Sequence, residues 1–356
     1  MEASWLLSDR ISADLGYSNS WRMYASESSH GKGFFDYNED RHIVFAYLSS
    51  ALSSGINIKS GLGVEMIRIR NRNSIDRLTY VMPRLNVRYR ASSALEMEMN
   101  YTAVSHYPVM YQLSPMNIKI DSFLTQAGNP GLMPSLRHTA SLRFRWKDRL
   151  TVEPAFHYTL NAVSESYMKS NYRLYRTFRN INTEEFAVYG GYGRSVGRYV
   201  RLAGSLTFYH GKTAAGGMEN AVSGWLAGAE AGYYHPDGHF GVLLGFYRNM
   251  KKNVLWQGYQ MLGKDNWLLE VNRMFPRTGI AVTLSWIPPL PYGIRKEQVK
   301  RMDTPLYSET TGIHLGAYHN TLLLKMNFRF GTGIKPANGN PASVRTEERQ
   351  ERTAGF

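Results

Sequence analysis

The sequence predicts an all-β fold, a transmembrane antiparallel up-and-down β-barrel of about 14 strands. Three observations lead there. Apolar and polar residues alternate with a period of two over many segments, no stretch is apolar enough for a membrane helix, and short and long breaks take turns along the chain.

The alternation is sharpest at two places. From Arg137 to Trp146, the residues His138, Ala140, Leu142, Phe144 and Trp146 share one face, while Arg137, Thr139, Ser141, Arg143 and Arg145 share the other. Near the end, Leu322, Leu324, Met326, Phe328 and Phe330 oppose Thr321, Leu323, Lys325, Asn327 and Arg329. Segments 95–101, 152–160, 200–208 and 280–286 repeat the pattern. Successive side chains of a strand point to opposite faces, so each segment has one apolar and one polar side.

Short breaks fall at 53–54, 91–93, 147–149, 196–198, 235–238 and 276–277. Longer polar breaks fall between them, at 26–39, 71–76, 107–136, 164–182, 211–219, 251–263 and 288–318. Tight turns at one end and long connections at the other are the arrangement of outer-membrane barrels, and the segments between give about 14 strands, an even number. A three-residue turn at 91–93 sets Arg88 opposite Glu96 and Tyr89 opposite Leu95; one at 147–149 sets Arg143 opposite Glu153 and Trp146 opposite Leu150. Both registers put charge against charge on one face and apolar against apolar on the other. Arg88, Glu96, Glu98, Arg143, Arg145 and Glu153 are therefore expected to face the lumen as a ladder of ion pairs.

Composition fits this reading. Hydrophobic residues are 43% of the 356 and mean hydropathy is −0.37, values that suit a barrel because half of each spanning strand faces water. The 24 Tyr, 15 Phe and 7 Trp suit positions with one end in lipid and one in water, and Trp256, Tyr259, Trp267, Trp286 and Tyr292 are expected to join an aromatic girdle. Cysteine is absent, which removes disulfides, thiolate metal sites and a cysteine nucleophile. A net charge of +14 suggests nucleic acid at first sight, yet Arg84, Arg88 and Arg90 recur at strand period. That spacing suits a lumen wall better than a phosphate groove, so no nucleic-acid partner is expected.

Candidate chemistry is sparse. The glycine-rich stretch 190–197 lacks the Gly-Lys-[Ser/Thr] ending of a phosphate loop and leads into a strand. The ten His residues show no metal-binding spacing, and Glu96 with Glu98 beside Arg88 reads as a salt-bridge ladder and not an acid–base pair. No enzyme, no metal and no cofactor are expected. Segment 105–134, with Tyr107, Tyr111, Leu113, Met116 and Phe123, is expected to pack on the barrel mouth. The polar stretch 332–356, with Pro336 and Pro341, is expected to be a disordered tail after a barrel domain of residues 1–331.

Two motifs carry a resemblance. Gly128-Asn129-Pro130-Gly131-Leu132-Met133-Pro134 resembles the Gly-Asn-Pro-x-Leu-x-Pro motif of TonB-dependent receptors and the related outer-membrane β-barrel family, where it closes a long outer loop. Ser135 stands where that family often has Glu. Asn327-Phe328-Arg329-Phe330-Gly331 resembles the family's final strand, whose aromatic-x-aromatic ending is read by the barrel-assembly machinery. The resemblance implies a Gram-negative outer-membrane barrel surrounded by lipid, solute uptake, a TonB complex and a plug domain as partners, and an unnamed solute as ligand. Neither plug nor TonB-interacting box is recognisable, and barrels of this family have 22 strands. The chain then reads as the C-terminal part of a barrel, or as a smaller one that closes alone. Residues 1–20 hold no basic segment followed by an apolar one of signal-peptide type, which reads as a mature fragment or a missing start. Two other functions stay open at this point: a self-closed passive channel with Arg-rich walls, and a soluble all-β binding protein.

Overall fold

The computed structural model describes residues 2–27, 34–71, 74–170, 173–261, 265–288, 297–304, 307–314 and 320–328. Its first six strands are β1 (Glu2–Ser8), β2 (Ile11–Glu27), β3 (Phe34–Ser53), β4 (Ile56–Asn71), β5 (Ser74–Arg90) and β6 (Leu95–His106). A long connection follows, holding the one-turn helix α1 (Met110–Leu113) and short strands β7 (Ile118–Lys119) and β8 (Leu124–Gln126). Then come β9 (Ser135–Trp146), β10 (Leu150–Ser170), β11 (Arg173–Val196), β12 (Val200–Ala215), β13 (Met218–Tyr234) and β14 (Phe240–Asn249). The last are β15 (Asn253–Leu255), β16 (Gly258–Met261), β17 (Asn266–Phe275), β18 (Ile280–Ile287), β19 (Glu297–Thr304), β20 (Tyr307–His314) and β21 (Thr321–Phe328).

Among the described residues the main sheet has 17 strands, and setting aside the loop strands β7 and β8 leaves fifteen in one antiparallel meander. The expected count of about 14 missed β1, which pairs with β2 across the tight turn Asp9-Arg10. At the ends of the meander, β1 pairs with β2 and β21 with β18; among the described residues β1 and β21 do not pair with each other.

Alternation decides which face is which. In register across four strands lie Tyr17, Val44, Val64 and Val81, and below them Leu15, Ala46, Leu62 and Pro83. Val271, Leu284 and Leu324 continue the same face at the far end of the sheet. Leu48, Leu62, Val81, Leu206 and Leu324 remain 44–59% exposed, so no second sheet or helix layer covers them. A contiguous apolar face of this size, one strand after another, requires hydrocarbon around it. The soluble-sandwich alternative fails here, because a sandwich buries that face between its sheets. Among the described residues no helix is long and apolar enough to cross a membrane.

The opposite, inner face is polar and carries rings lying flat on glycines. A Cβ at Gly61 would come within 2.1 Å of the Tyr47 ring, and one at Gly191 within 2.3 Å of the Tyr189 hydroxyl. Strand-interior glycine here makes room for a neighbouring aromatic side chain.

Several expected loops are strand. Segments 164–182 and 26–39 are largely the upper halves of β10, β11, β2 and β3, and 71–76 is mostly the ends of β4 and β5. At 211–219 the long break is a two-residue hairpin, with Ala215 paired to Met218 across Gly216 (φ 58°) and Gly217 (φ 77°), left-handed positions that suit glycine. Above the bilayer a strand needs no apolar face, so its hydropathy reads as loop. Segments 251–261 and 297–314 hold a second, four-stranded sheet of β15, β16, β19 and β20. This sheet also corrects the girdle. Trp256 is buried, its indole N–H donating to the Ala215 carbonyl at 3.1 Å with Arg179 over the ring, and Tyr259 pairs opposite Arg301. Trp267 and Trp286 keep to the outward face, in register with Phe246 and Leu322. Tyr292 and the tail 332–356 lie outside the described residues.

Candidate functional site

The turn-proximal end of the inner face carries a belt of ion pairs across β5, β6, β9 and β10. Arg88 donates to Glu96 at 2.8 Å, Arg145 to Glu96 at 3.3 Å, Arg143 to Glu98 at 3.5 Å and Arg143 to Glu153 at 2.8 Å. Trp146 stands opposite Leu150, the register read for that hairpin. The 91–93 register differs from the reading: Arg88 pairs with Glu98, Tyr89 with Met97 and Arg90 with Glu96. The cause is a wider bend, in which the Ser92 hydroxyl accepts from the amides of Ala94 and Leu95, both at 3.1 Å. A shift of two residues leaves every side chain on its face, and Arg88 reaches Glu96 diagonally. These pairs are partly solvated, so each contributes about 0–1 kcal/mol. Every acid in the belt is engaged, which makes it a wall and leaves no free general base.

The opposite end of the inner face holds the protein's main apolar core. Phe35, Tyr37, Ile67, Ile69 and Tyr80 of β3, β4 and β5 cluster with Leu113, Leu132 and Leu136. By alternation the cluster residues of β3, β4 and β5 point inward, and Leu113 and Leu132 of the β6–β9 connection pack against them. Beside this core, Glu39 is fully buried and accepts from Arg22 at 2.9 Å and from the Tyr37 hydroxyl at 2.9 Å, with the Arg41 guanidinium at 3.1 Å. The Arg41 and Arg22 guanidiniums lie 4.1 and 4.9 Å from the ring centre of Tyr107 in the loop, whose hydroxyl donates to the buried Glu65. Burial, then the adjacent Glu39 and Glu65, raise the Tyr37 and Tyr107 hydroxyls above the usual tyrosine range, so both stay donors. Sequence reasoning placed Tyr107 in a loop on the mouth but missed Arg22, Glu39, Arg41 and Glu65, which no local spacing joins.

The motif fixes the loop's second end. The Asn129 amide donates to the Phe178 carbonyl at 3.0 Å while its oxygen accepts the Gly131 N–H at 2.9 Å. Gly128 approaches the loop's own backbone so closely that a Cβ would sit 2.5 Å from the Ser114 oxygen and 2.7 Å from that of Gln112. Leu132 enters the core, Pro134 is fully buried, and the Pro134 carbonyl accepts from Tyr80 at 2.7 Å. Asn180 bridges the Met133 backbone to the bulge at Asn161 (φ 56°). Pro130 occupies the turn between Asn129 and Gly131. Replacing Asn129 by Ala is expected to cost about 1–3 kcal/mol of local stability, since a buried carbonyl and a turn amide lose their partners. Limited proteolysis within 107–134 checks this; unchanged cleavage rates would remove the anchoring role.

Phe328 points outward and is exposed at the end of β21; Phe330 lies outside the described residues. Among the described residues no group of three His, Asp or Glu side chains is placed to hold a metal ion.

Comparison with known proteins agrees with this architecture. A family model described as the outer membrane protein beta-barrel family matches residues 9–261. No curated protein sequence matches the chain. Among solved structures, the copper transporter OprC is similar with TM-score 0.63 at 12% identity, over 92% of this chain and 55% of that one. The ferric enterobactin receptor PfeA from Pseudomonas aeruginosa is similar with TM-score 0.56 at 12% identity, over 91% and 52%. The iron transporter FrpB from Neisseria meningitidis (F5-1 variant) has TM-score 0.54 at 10% identity, over 80% and 50%. The chain thus spans about half the length of these structures. At such identities the likeness is one of fold. The family match covers well over half of the chain, and with the uncovered apolar face it leads to one conclusion: this chain belongs to the outer membrane protein beta-barrel family and resides in the outer membrane.

Proposed function

We propose that the chain forms the barrel wall and mouth loop of a TonB-dependent receptor-type transporter, which takes a solute inward across the outer membrane. The carrying observation is the loop packed over the inner face of β3, β4 and β5. A loop held at Tyr107 and at Asn129 packs its own core against the inner face, so the lumen is a controlled passage and not an open pore. A polar inner wall below it and an apolar outer belt around it fit the same role. The plug domain and the TonB complex are partners in this reading, supplied in addition to residues 1–331, and the barrel-assembly machinery recognises the end of the last strand through Phe328 and Phe330. The cargoes named for the similar structures, copper for one and ferric enterobactin for another, differ. This fold carries neither of them over, and the solute class here is set by the mouth.

Planar-bilayer conductance tests the reading against the passive-channel alternative. Protein taken from outer membranes is expected to be electrically silent. A variant with residues 110–127 replaced by a short Gly-Ser link is expected to conduct more often. Steady ohmic conductance from the unaltered protein would refute the controlled passage and favour the channel.

A further inference from the structure

Above the ion-pair belt, one inward arginine has no counter-charge. Arg137 of β9 pairs with Val104 of β6 and Thr159 of β10, in the same unshifted β6–β9 register that sets Arg143 opposite Glu98. Alternation therefore puts Arg137 on the face of the belt. Its side chain is exposed and, among the described residues, has no ion-pair or hydrogen-bond partner. The carboxylates of that face on β6, β10 and β11 are already held. Arg88 takes Glu96 at 2.8 Å, Arg143 takes Glu98 at 3.5 Å and Glu153 at 2.8 Å, and Lys251 takes Glu185 at 3.1 Å. Glu185, opposite His157, is the nearest of them along the ladder. Two imidazoles flank the arginine. His106 stands opposite Ser135 and His157 opposite Thr139, each two positions along β9 from Arg137, which makes both its diagonal neighbours on one face. Diagonal neighbours in a sheet are within reach of long side chains. The Thr139 hydroxyl lies 3.1 Å from Nδ1 of His157, and when it donates there the other ring nitrogen carries the N–H. Thr102 and Thr159 add hydroxyls in the same two rows.

We propose that Arg137, His106 and His157 form a site on the inner wall for a carboxylate or phosphate group of the transported solute. That the occupant is a transported solute rests on the function proposed above. The planar guanidinium meets either oxyanion through two parallel hydrogen bonds, and imidazole N–H groups and threonine hydroxyls supply the remaining donors. The place in the chain fits as well. His106 directly precedes Tyr107 of the mouth loop, and Arg137 follows three residues after Pro134, where the loop motif ends. An anion held here lies at the foot of both ends of the loop, between the mouth and the belt.

The test treats protein purified from outer membranes with phenylglyoxal, which modifies accessible guanidiniums, and follows each arginine by peptide mass spectrometry. Arg137 is expected to react readily and the doubly bonded Arg143 slowly. Citrate, as a carboxylate probe, is expected to slow Arg137 by roughly tenfold, the effect of one hydrogen bond to a charged group. Arg201, exposed on the same face near the turns, is expected to keep its rate. H106Q/H157Q is expected to lose most of the protection while Arg137 stays reactive. Equal slowing of Arg137 and Arg201 overturns the site, as does full protection in H106Q/H157Q. An Arg137 that is unreactive without added anion also overturns it, because another group then holds the guanidinium. Equal protection by inorganic phosphate and citrate at the same concentration overturns the solute as occupant in favour of a free ion; protection by citrate alone supports the solute. Steady conductance from protein that passes these arms would remove the controlled passage and keep the site, so the two readings fail separately.

Discussion

Replacing Leu206 by Arg is expected to destabilise the protein in a bilayer by about 2–4 kcal/mol, the depth-dependent cost of a charge at the middle of a barrel's lipid face. Leu206 sits halfway along the outward row of β12, between Leu202 and His210, and is 55% exposed with no protein over it. Its neighbour Ser205 points the other way, beside Gly228 on the inner wall. Ser205→Arg places the same charge one residue away in water and is expected to change stability by no more than about 1 kcal/mol. Urea unfolding of the vesicle-inserted protein, followed by tryptophan fluorescence, measures both. Equal costs for the two substitutions would mean that the faces are misassigned, and the membrane reading would fall with them.

The second large effect is expected at Glu39. This fully buried carboxylate is shared by Arg22, Arg41 and the Tyr37 hydroxyl. Glu39→Ala leaves two guanidiniums in a half-buried site without their counter-charge, and removing one partner of such a group costs on the order of 3 kcal/mol. Because the Arg22 and Arg41 guanidiniums also contact the Tyr107 ring, the loss is expected to spread to the mouth loop. Faster proteolysis at 107–134, together with intact strand content by circular dichroism, is the anticipated result. Substituting Met for both arginines in the Glu39→Ala background is expected to restore part of the loss, since an apolar cluster replaces an orphaned charge. No change in loop protection would show that the loop is held by Asn129 and Leu132 alone.

What could be read from the sequence follows the presence of lipid. The faces of β9 and β21 were legible because hydrocarbon on one side and water on the other force strict alternation, as at Leu142 beside Arg143. The Arg143–Glu153 contact followed from a turn of known length. Legibility ended where both faces meet water or protein. The upper halves of β10 and β11, around Ser164 and Arg179, pair as regularly as the lower halves, yet their polar residues gave no period to detect. β15 and β16 are three and four residues long, too short for any pattern. The mouth cluster was invisible for another reason: Arg22, Glu39, Glu65 and Tyr107 come from four separate elements, brought together by the β2–β3 register, which sets Arg22 opposite Glu39, and by the folding back of the β6–β9 connection, which brings Tyr107 to Glu65. In the Ser92 hairpin a hydroxyl, and not hydropathy, set the width of the bend, so the face was read correctly and the partner was not.

The height of the strands has a consequence for recognition. β11 is 24 residues long, roughly 80 Å of chain at about 3.4 Å per residue, while the hydrocarbon layer needs only some 9–11 residues of a strand. Much of the protein's outward reach is therefore a stiff, hydrogen-bonded collar and not a set of tethers. On the receptor reading proposed above, a molecule arriving from the medium meets a surface whose shape is already fixed, and little of its binding energy is diverted into ordering its host. Selectivity in such a collar comes from rejecting what does not fit, and encounter there resembles docking to a rigid cup more than capture by flexible arms.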